Sequence, residues 1–249
     1  MASGYYDLCL KTSEPAALAR AAELGWNGVC VAHELQEARK LGGRLKAPGN
    51  IECYLGALVS GDVEKNARKA LEFADIVLVE GGLDEVNRAA SECWEVDVLL
   101  HPERGRERDF MDYRNSGFDQ VMASFMAERG IALGIDFSTL LSSQGRSLQQ
   151  TLGRIRQNVK VALKHKVPVV LASGAGDPLG LRSPLDLSHV SGMLGVPEHL
   201  ARKIVSAYPS LVVAKMRDRK NPDVILKGLG VVDWGGQKPS QPKRAYGWY

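Results

Sequence analysis

The sequence predicts an α/β protein built as a closed barrel of seven or eight parallel strands in a single domain. Seven apolar runs of strand length recur along the chain, and segments with helical spacing separate them. Strands that alternate with helices form βαβ units with parallel strands. The length of 249 residues is close to the roughly 250 typical of such barrels. The prediction is therefore a TIM-barrel-like (β/α) fold.

The strand predictions rest on short apolar runs rich in Val, Ile and Leu, which are typical of parallel strands buried on both faces. The seven predicted strands are Tyr5–Leu10, Gly28–His33, Ile51–Val59, Ile76–Glu80, Val96–His101, Ala132–Phe137 and Pro168–Ser173.

Helices are predicted where apolar residues recur every three or four positions. The first is Glu14–Leu24, with Ser13 as its N-cap and Pro15 in its first turn. Two more are Asp62–Phe73 and Phe118–Glu128. The abrupt glycine-rich loop after the last strand predicts a further helix that begins at Ser183-Pro184.

The longest predicted helix is Ser147–Lys166. Its apolar residues fall on one narrow face, and Arg156, Lys160 and Lys164 form a basic stripe directly beside that face, with Arg154 on the far side. A basic stripe on a surface helix is often only solvated. Because no acidic stripe is available for i, i+4 pairing, contact with a phosphate backbone is the favoured interpretation.

The last third of the chain leaves one element open. Leu211–Ala214 has the composition of an eighth strand, whereas Pro209 suits the first turn of a helix. We expect the barrel domain to span residues 1–235 and residues 236–249, which end in YGWY, to form a flexible or partner-bound tail.

The net charge of +3 hides an asymmetry. Residues 1–150 carry 16 basic and 23 acidic side chains, a formal charge of −7, and residues 151–249 carry 16 and 6, a formal charge of +10. A basic surface on one side of a protein suits a polyanion. A solvated charge bias without a ligand is the alternative.

The composition predicts a soluble, cytoplasmic protein. No apolar run approaches the ~18 residues of a membrane span, and the first residues do not resemble a secretory signal. The four cysteines are widely spaced and form no CxxC pair, so neither a disulfide framework nor a structural zinc site is expected. Cysteine usage therefore fits a reducing compartment.

The predicted strand ends offer candidate metal ligands, because function in α/β barrels collects at the carboxyl ends of strands. His33, Glu80 and His101 stand at such ends and form a two-histidine, one-carboxylate set. A metal-dependent phosphoesterase using these residues is the alternative function.

Two segments resemble a metal-hydrolase family, the polymerase-and-histidinol-phosphatase (PHP) enzymes, but lack their ligands. The first strand reads Asp7-Leu8-Cys9-Leu10-Lys11 where that family has Asp-x-His-x-His, and the seventh ends in Ser173–Gly176, Ser-Gly-Ala-Gly, where it has Ser-Asp-Ala-His. A lysine ammonium repels a cation. The chain therefore resembles a PHP-like scaffold without its metal chemistry, and we expect no metal to be bound.

The segment after the fifth strand is rich in arginine. Guanidinium groups pair with phosphate and stack on bases, so such a loop suits RNA. Arg106 and Arg114 are the better RNA candidates, and Arg104 and Arg108 are expected to be paired locally. The alternative is an internal ion network with the acidic side chains of the same segment, Glu103, Glu107, Asp109 and Asp112.

Four segments carry a second family resemblance. VDVLLHPE (96–103), RNSGFDQVMASFMAERGIAL (114–133), VPVVLASGA (167–175) and LRSPLDLSHVSGMLGVPEHLARKIVSAYP (181–209) resemble the ribonuclease P protein component 3 family. The resemblance covers most of the chain and fades in the tail. It favours a helix at Pro209–Lys215, a barrel with seven strands or an irregular one, and an archaeal source.

The resemblance implies a non-catalytic subunit of the ribonucleoprotein that removes the 5′ leader from precursor tRNA. Mg²⁺ is then expected on the catalytic RNA and no cofactor on this chain. The implied partners are that RNA, component 2 (a small ferredoxin-like subunit, as a heterotetramer), other ribonuclease P proteins and, peripherally, precursor tRNA. A eukaryotic member would be nuclear or nucleolar.

Combined with the charge pattern, the resemblance suggests a set of RNA contacts and no catalytic residue. The candidates share a basic side chain or a position at a helix start, where a phosphate binds well. They are Arg106, Arg114, Arg154, Arg156, Lys160, Arg182, Ser183 and Lys203.

Overall fold

A computed structural model of the chain describes residues 4–42, 45, 49–106, 108–109, 111–226 and 228–236. Its centre is a sheet of seven parallel strands that pair in the order in which they follow along the chain. The last strand lies beside the first. Just after the last strand, the Gly174 amide donates to the carbonyl of Cys9, within the first strand, at 2.9 Å. The sheet therefore forms a nearly closed barrel, in agreement with the predicted fold class.

The strands agree with the predicted runs to within two residues at each end. They are β1 (Tyr6–Leu10), β2 (Gly28–Glu34), β3 (Glu52–Val59), β4 (Ile76–Glu80), β5 (Val98–Leu100), β6 (Ala132–Asp136) and β7 (Val169–Ala172).

Helices follow the strands around the outside. They are α1 (Pro15–Glu23), α2 (Leu35–Leu41), α3 (Val63–Ala70), α4 (Asp84–Glu92), α5 (Gln120–Arg129), α6 (Phe137–Ser142), α7 (Gly145–Lys164), α8 (Pro184–Val190), α9 (Glu198–Ala201) and α10 (Ala207–Lys220). Two short 3₁₀ helices, Ser191–Leu194 and Lys203–Val205, connect α8, α9 and α10.

Helix starts show where local sequence signals hold. Asp62 and Asp119 cap α3 and α5, and their carboxylates accept from backbone amides at 3.3 and 2.8 Å. Pro15 occupies the first turn of α1, as predicted. The predicted N-cap at Ser13 is wrong: Glu14 takes that position and makes no side-chain cap. Proline has no amide to satisfy, which reduces the need for a capping oxygen.

The core has two parts because residues along each strand alternate between the two faces of the sheet. Inside the barrel lie the side chains of one face, such as Leu8, Leu78, Leu100 and Val170. Residues of the other face, such as Val77, pack against the surrounding helices.

The amino-terminal end of the barrel is closed by α10, not by an eighth strand. Val212, Val213 and Met216 of α10 pack with the barrel interior. The strand alternative for Leu211–Ala214 is therefore wrong, and the helix favoured by the family resemblance is confirmed. Pro209 lies in its first turn, where a missing amide costs no hydrogen bond.

A buried ion cluster holds α10 in this position. Asp97, just before β5, accepts from both nitrogens of the Arg219 fork at 3.0 and 2.9 Å. The Lys215 ammonium lies 3.3 Å from the same carboxylate and donates to the Val96 carbonyl at 2.7 Å. Burial raises the pKa of Asp97, but the two cations lower it more, so the net shift is downward. Asp97 is therefore charged at neutral pH, whereas burial lowers the pKa of Lys215 although Asp97 opposes that shift.

Beyond α10, the described chain ends in a small antiparallel pair, β8 (Val224–Leu226) and β9 (Leu229–Gly230), separate from the barrel sheet. The expected tail of residues 236–249 lies outside the described residues except for Gly236. None of the described helices is long and apolar enough to cross a membrane.

Candidate nucleic-acid interface

The carboxyl-terminal mouth of the barrel is filled by internal ion pairs. The Lys11 ammonium, after β1, forms a short contact with the Asp136 carboxylate at the end of β6. The imidazole of His101, after β5, lies 3.4 Å from the same carboxylate and 3.8 Å from Glu103. Asp136 also accepts from the amide and hydroxyl of Ser138 at 2.8 and 2.7 Å. The Lys11 ammonium therefore supplies the positive charge that pairs with the Asp136 carboxylate.

The titration of the mouth follows from this pairing. Burial raises the pKa of Asp136, but His101, Lys11 and Ser138 lower it more, so it lies well below its usual range. Burial lowers the pKa of His101, yet the carboxylates of Asp136 and Glu103 raise it above its usual value. Both groups therefore favour their charged forms.

Asp7 lies beside this cluster, and its carboxylate forms no ion pair with a described residue. Its carboxylate accepts from the Ser173 hydroxyl and, at 3.1 and 3.2 Å, from the amides of Ser173 and Cys9. It is fully buried, and burial raises its pKa to about 6 although these hydrogen bonds oppose the shift.

The candidate metal ligands are not brought together. His33 lies 3.6 Å from Glu37 in α2, Glu80 lies 3.6 Å from Arg104, and His101 belongs to the ion pairs of the mouth. Among the described residues, no three His, Cys, Asp or Glu side chains are arranged to hold a metal ion. With the Lys11 ammonium on Asp136, this donor set does not fit a catalytic metal, so the phosphoesterase alternative is not favoured.

The glycine-rich loop after β7 is shaped by the mouth. Gly174 has a φ of +62°, and a Cβ there would lie 1.6 Å from the Asp136 carboxylate. Further along, Arg182 donates to the carbonyls of Leu179 and Leu181 at 2.8 and 2.9 Å. Ser183 caps α8 by accepting from the Asp186 amide at 3.1 Å. The predicted helix start at Ser183 is confirmed, and its role in RNA binding stays a prediction.

The outer face of α7 carries exposed cations that form no ion pair with any residue that the structure describes. Residues 145–164 contain five basic residues and no acidic one. Arg156, Lys160 and Lys164 recur every fourth residue on one face of the helix, and all three are exposed. We call these three residues the α7 row. Lys160 and Lys164 have no hydrogen-bond or ion-pair partner in the part of the chain that the structure describes, and Arg156 donates to the Met193 carbonyl at 2.7 Å.

Residues 104–106, 108–109 and 111–116, which we call the arginine loop, include segments that are hydrogen-bonded to α7. Arg114 is half exposed, and its guanidinium donates to Asp109 at 2.6 Å. Arg106 is mostly buried and lies 2.7 Å from Asp84. Arg108 is exposed and has no side-chain partner among the described residues. The local pairing that was expected of Arg108 is therefore not found among the described residues. Arg106 and Arg114, which were the better RNA candidates, are the arginines that pair locally. The alternative was an internal network of these arginines with acidic side chains of the same segment. Within it, Asp109 pairs with Arg114 and with Arg154, and Glu107 lies outside the described residues.

Arg154 is the predicted RNA contact that the structure places farthest from solvent. It is 6% exposed. Its guanidinium donates to Asp109 at 2.9 Å and to the Arg106 carbonyl at 2.9 Å. The helical periodicity of the sequence predicted that Arg154 lies on the far side of the helix from the basic stripe. In the structure, that side of the helix is covered by the arginine loop. Arg154 therefore holds the loop rather than facing solvent.

Lys203 is exposed in the second 3₁₀ helix, and Arg182 and Ser183 lie at the start of α8. These segments form a chain of packing neighbours, since α8 packs against the first 3₁₀ helix, which packs against α7. No hydrogen bond or ion pair among the described residues joins Arg182, Ser183 or Lys203 to the α7 row. The structure thus brings Arg106, Arg114, Arg154 and the row together and leaves these three on a neighbouring surface.

Sequence reasoning missed Gly153 as part of this interface and named Asp109 only as a member of the alternative ion network. Gly153 interrupts a good helical pattern, and a glycine inside a helix often signals close packing. The acidic residue inside an arginine-rich loop gave a second signal, because a buried arginine needs a carboxylate nearby.

The sequence and the fold of the chain are similar to those of several known proteins. The family model described as RNase P subunit p30 matches residues 4–221. The ribonuclease P protein component 3 of Methanosarcina acetivorans is 36% identical over 159 residues, 64% of this chain and 62% of the relative. That of Methanosarcina barkeri is 28% identical over 93% of this chain and 97% of the relative. A chain in the structure of archaeal ribonuclease P with mature tRNA superposes with a TM-score of 0.72 at 26% identity, covering 93% of this chain and 100% of that one.

Proposed function

The chain belongs to the ribonuclease P subunit p30 family, and from this membership we propose that the α7 row and the arginine loop bind RNA. The protein is a subunit of ribonuclease P, the enzyme that processes the 5′ ends of tRNA. The family resemblance expected from the sequence is thereby confirmed, as is the barrel fold.

The observation that carries the RNA interface is the acid-free helix α7. Its exposed cations have no acidic partner among the described residues, so each one that meets a nucleic-acid backbone displaces counter-ions condensed on a phosphate. An exposed cation already in an ion pair gains less, because it must first lose that pair. At the mouth of the barrel, Lys11 and His101 lie against Asp136. We therefore expect these cations to contribute much less to the free energy of RNA binding than those of α7.

Hydrolysis belongs in this proposal to the RNA subunit, which holds the Mg²⁺ ions, and this chain supplies no catalytic residue. The residues of the mouth support this assignment of hydrolysis to the RNA, because their charged side chains pair with one another. The other partners follow the family: component 2, in a heterotetramer, further protein subunits and, peripherally, precursor tRNA. The proposed location is the cytoplasm of an archaeal cell.

A matched pair of double charge reversals tests the interface. We expect K160E/K164E to weaken binding to the catalytic RNA by more than tenfold and to flatten the dependence of affinity on salt by about two to four phosphate equivalents. K65E/K69E changes the charge equally on α3, where both lysines are exposed and their side chains have no described partner. Filter binding across a salt series gives both quantities.

Reconstituted cleavage of precursor tRNA, with component 2 and the catalytic RNA present, gives the functional readout. The α7 variant should raise the protein concentration needed for half-maximal cleavage, whereas the α3 variant should leave it close to that of the unmodified protein. The variant R156E/K160E tests the two residues expected from the sequence in the same assay. Equal behaviour of the α7 and α3 variants would contradict the proposed interface.

A further inference from the structure

The backbone of the arginine loop is fastened to α7 by two consecutive residues of the helix, Gln157 and Asn158. Gln157 accepts from the Arg114 amide at 3.0 Å and donates to the Arg114 carbonyl at 2.9 Å. Asn158 donates to the Ser116 carbonyl at 3.1 Å. The backbone around Arg114 is therefore tied to the outer side of α7 independently of any charge.

Asp109 fixes the side chains within this arrangement. One carboxylate oxygen accepts from Arg154 at 2.9 Å and from the Asn115 amide at 3.1 Å, and the other accepts from Arg114 at 2.6 Å. Burial raises the pKa of Asp109, but Arg114 and Arg154 lower it more, so the carboxylate is charged at neutral pH. It neutralises the buried Arg154 and aims the exposed Arg114.

Gly153 supplies the surface on which Arg114 rests. A Cβ at this position would lie 3.1 Å from Nε and 3.3 Å from Cζ of Arg114. Alanine favours a helix interior more than glycine does, so close packing of the guanidinium accounts for a glycine here. Gly153 also precedes Arg156 by three residues and Lys160 by seven, so it lies on the same side of α7. Arg114 therefore continues the α7 row by one turn.

We propose that Asp109 is a positioning residue for RNA binding, which holds Arg114 over Gly153 so that loop and helix present one line of cations to the phosphate backbone. This inference rests on the proposed function. It has an unusual sign: an acidic side chain in the interface strengthens the binding of a polyanion. Simple charge counting gives the opposite expectation, because removing a negative charge increases attraction to RNA.

The substitution Asp109→Asn separates the two expectations. We expect it to weaken RNA binding about tenfold, the size expected when one charge-assisted arginine contact is lost. The salt dependence should fall by about one phosphate equivalent, because Arg114 no longer meets a phosphate in a fixed position. A merely structural role would lower the melting temperature without changing the salt dependence of the folded protein.

Asp112→Asn is the matched control. Asp112 belongs to the same loop, is exposed and has no side-chain partner among the described residues. The same change of charge there should leave binding unchanged or tighten it slightly. If Asp109→Asn tightens binding in the same way as Asp112→Asn, the positioning role is wrong.

Gly153→Ala provides a second variant that leaves the net charge unchanged and favours the helix. Its Cβ displaces the Arg114 guanidinium, so we expect RNA binding to weaken several-fold while the melting temperature is kept. Binding equal to that of the unmodified protein would overturn the inference even if Asp109→Asn fails to fold. The α7 double reversal distinguishes the two levels: if K160E/K164E weakens binding and these variants do not, only the positioning of Arg114 is wrong.

Discussion

The mouth of the barrel and the outer face of α7 both carry cations, and they differ in what those cations contact. At the mouth, Lys11 and His101 lie against the buried carboxylate of Asp136. On α7, Lys160 and Lys164 are exposed and have no partner among the described residues. In the first arrangement the cations are paired within the fold, and in the second the charge is available to a ligand.

The comparison teaches that position in a barrel is a poor guide to function once the side chains have been exchanged. The carboxyl ends of the strands are where barrel enzymes place their chemistry. In this chain the same place contains a lysine on an aspartate, and that pair is satisfied without a ligand. The proposed binding surface lies on the outside of one helix, where the exposed cations of the α7 row are accessible to a long polyanion.

The largest expected effect comes from breaking the pair at the mouth. Lys11→Met removes the ammonium from Asp136 and leaves a buried carboxylate without its nearest cation, so the free energy of unfolding should fall by about 3 to 5 kcal/mol. Affinity of the folded protein for RNA should not change. Urea denaturation gives the first quantity, and filter binding at a temperature well below unfolding gives the second.

Lys65→Met in α3 controls for the loss of a lysine as such. Its ammonium is exposed and has no side-chain partner among the described residues, so stability should change by less than about 0.5 kcal/mol. If Lys11→Met were as mild as this control, the mouth would not be the stabilising ion cluster described above. A loss of RNA affinity in Lys11→Met at full folding would move the interface to the mouth.

A second effect at the mouth depends on pH. The pKa of Asp7 is about 6 in the folded protein and about 3.9 when unfolded. Because the folded value is raised, this group's contribution is present in full below pH ~4 and is lost as the pH rises through 6. The loss is about 3 kcal/mol. Asp7→Asn, which keeps the hydrogen-bonding shape, should remove it.

Unfolding free energies from pH 4 to pH 8 for the unmodified protein and Asp7→Asn check this effect. The pKa of His101 is also raised, by the carboxylates of Asp136 and Glu103 against the effect of burial, so its contribution to stability is lost as the pH rises. The difference between the two proteins cancels that contribution. Parallel curves would mean that Asp7 is charged throughout and that burial does not control it.

The barrel could be predicted from the sequence because its signals are local. Buried parallel strands read as apolar runs, and α7 shows its buried face as a repeat of leucine, isoleucine and valine. The sequence left the type of one element, α10, undecided, because its apolar residues around Leu211 fit either a helix or a strand. Only its packing across the end of the barrel and the pairing of Arg219 with Asp97 decide the choice. Those contacts join residues more than 100 positions apart.

The interface could be predicted only in part, for the same reason. The α7 row follows from helical spacing, which the sequence contains. The difference between Arg154, which is buried, and Arg108, which is exposed, depends on how the arginine loop folds onto α7. Nothing in the spacing of four arginines within one loop distinguishes a cation that holds a loop from one that faces solvent.

The smallest expected effect is also the most direct test of the comparison. Lys160→Gln removes one cation from the α7 row, and no described contact is lost with it, so stability should change by less than about 0.5 kcal/mol. The slope of log affinity against log salt should fall by about one, since one phosphate contact is missing. Lys65→Gln should leave the slope unchanged.

The two regions would then respond in opposite ways. Lys11→Met would lower stability without affecting RNA binding, and Lys160→Gln would weaken RNA binding without affecting stability. A row that is only solvated would show no change of slope, because a cation that meets no phosphate releases no counter-ion.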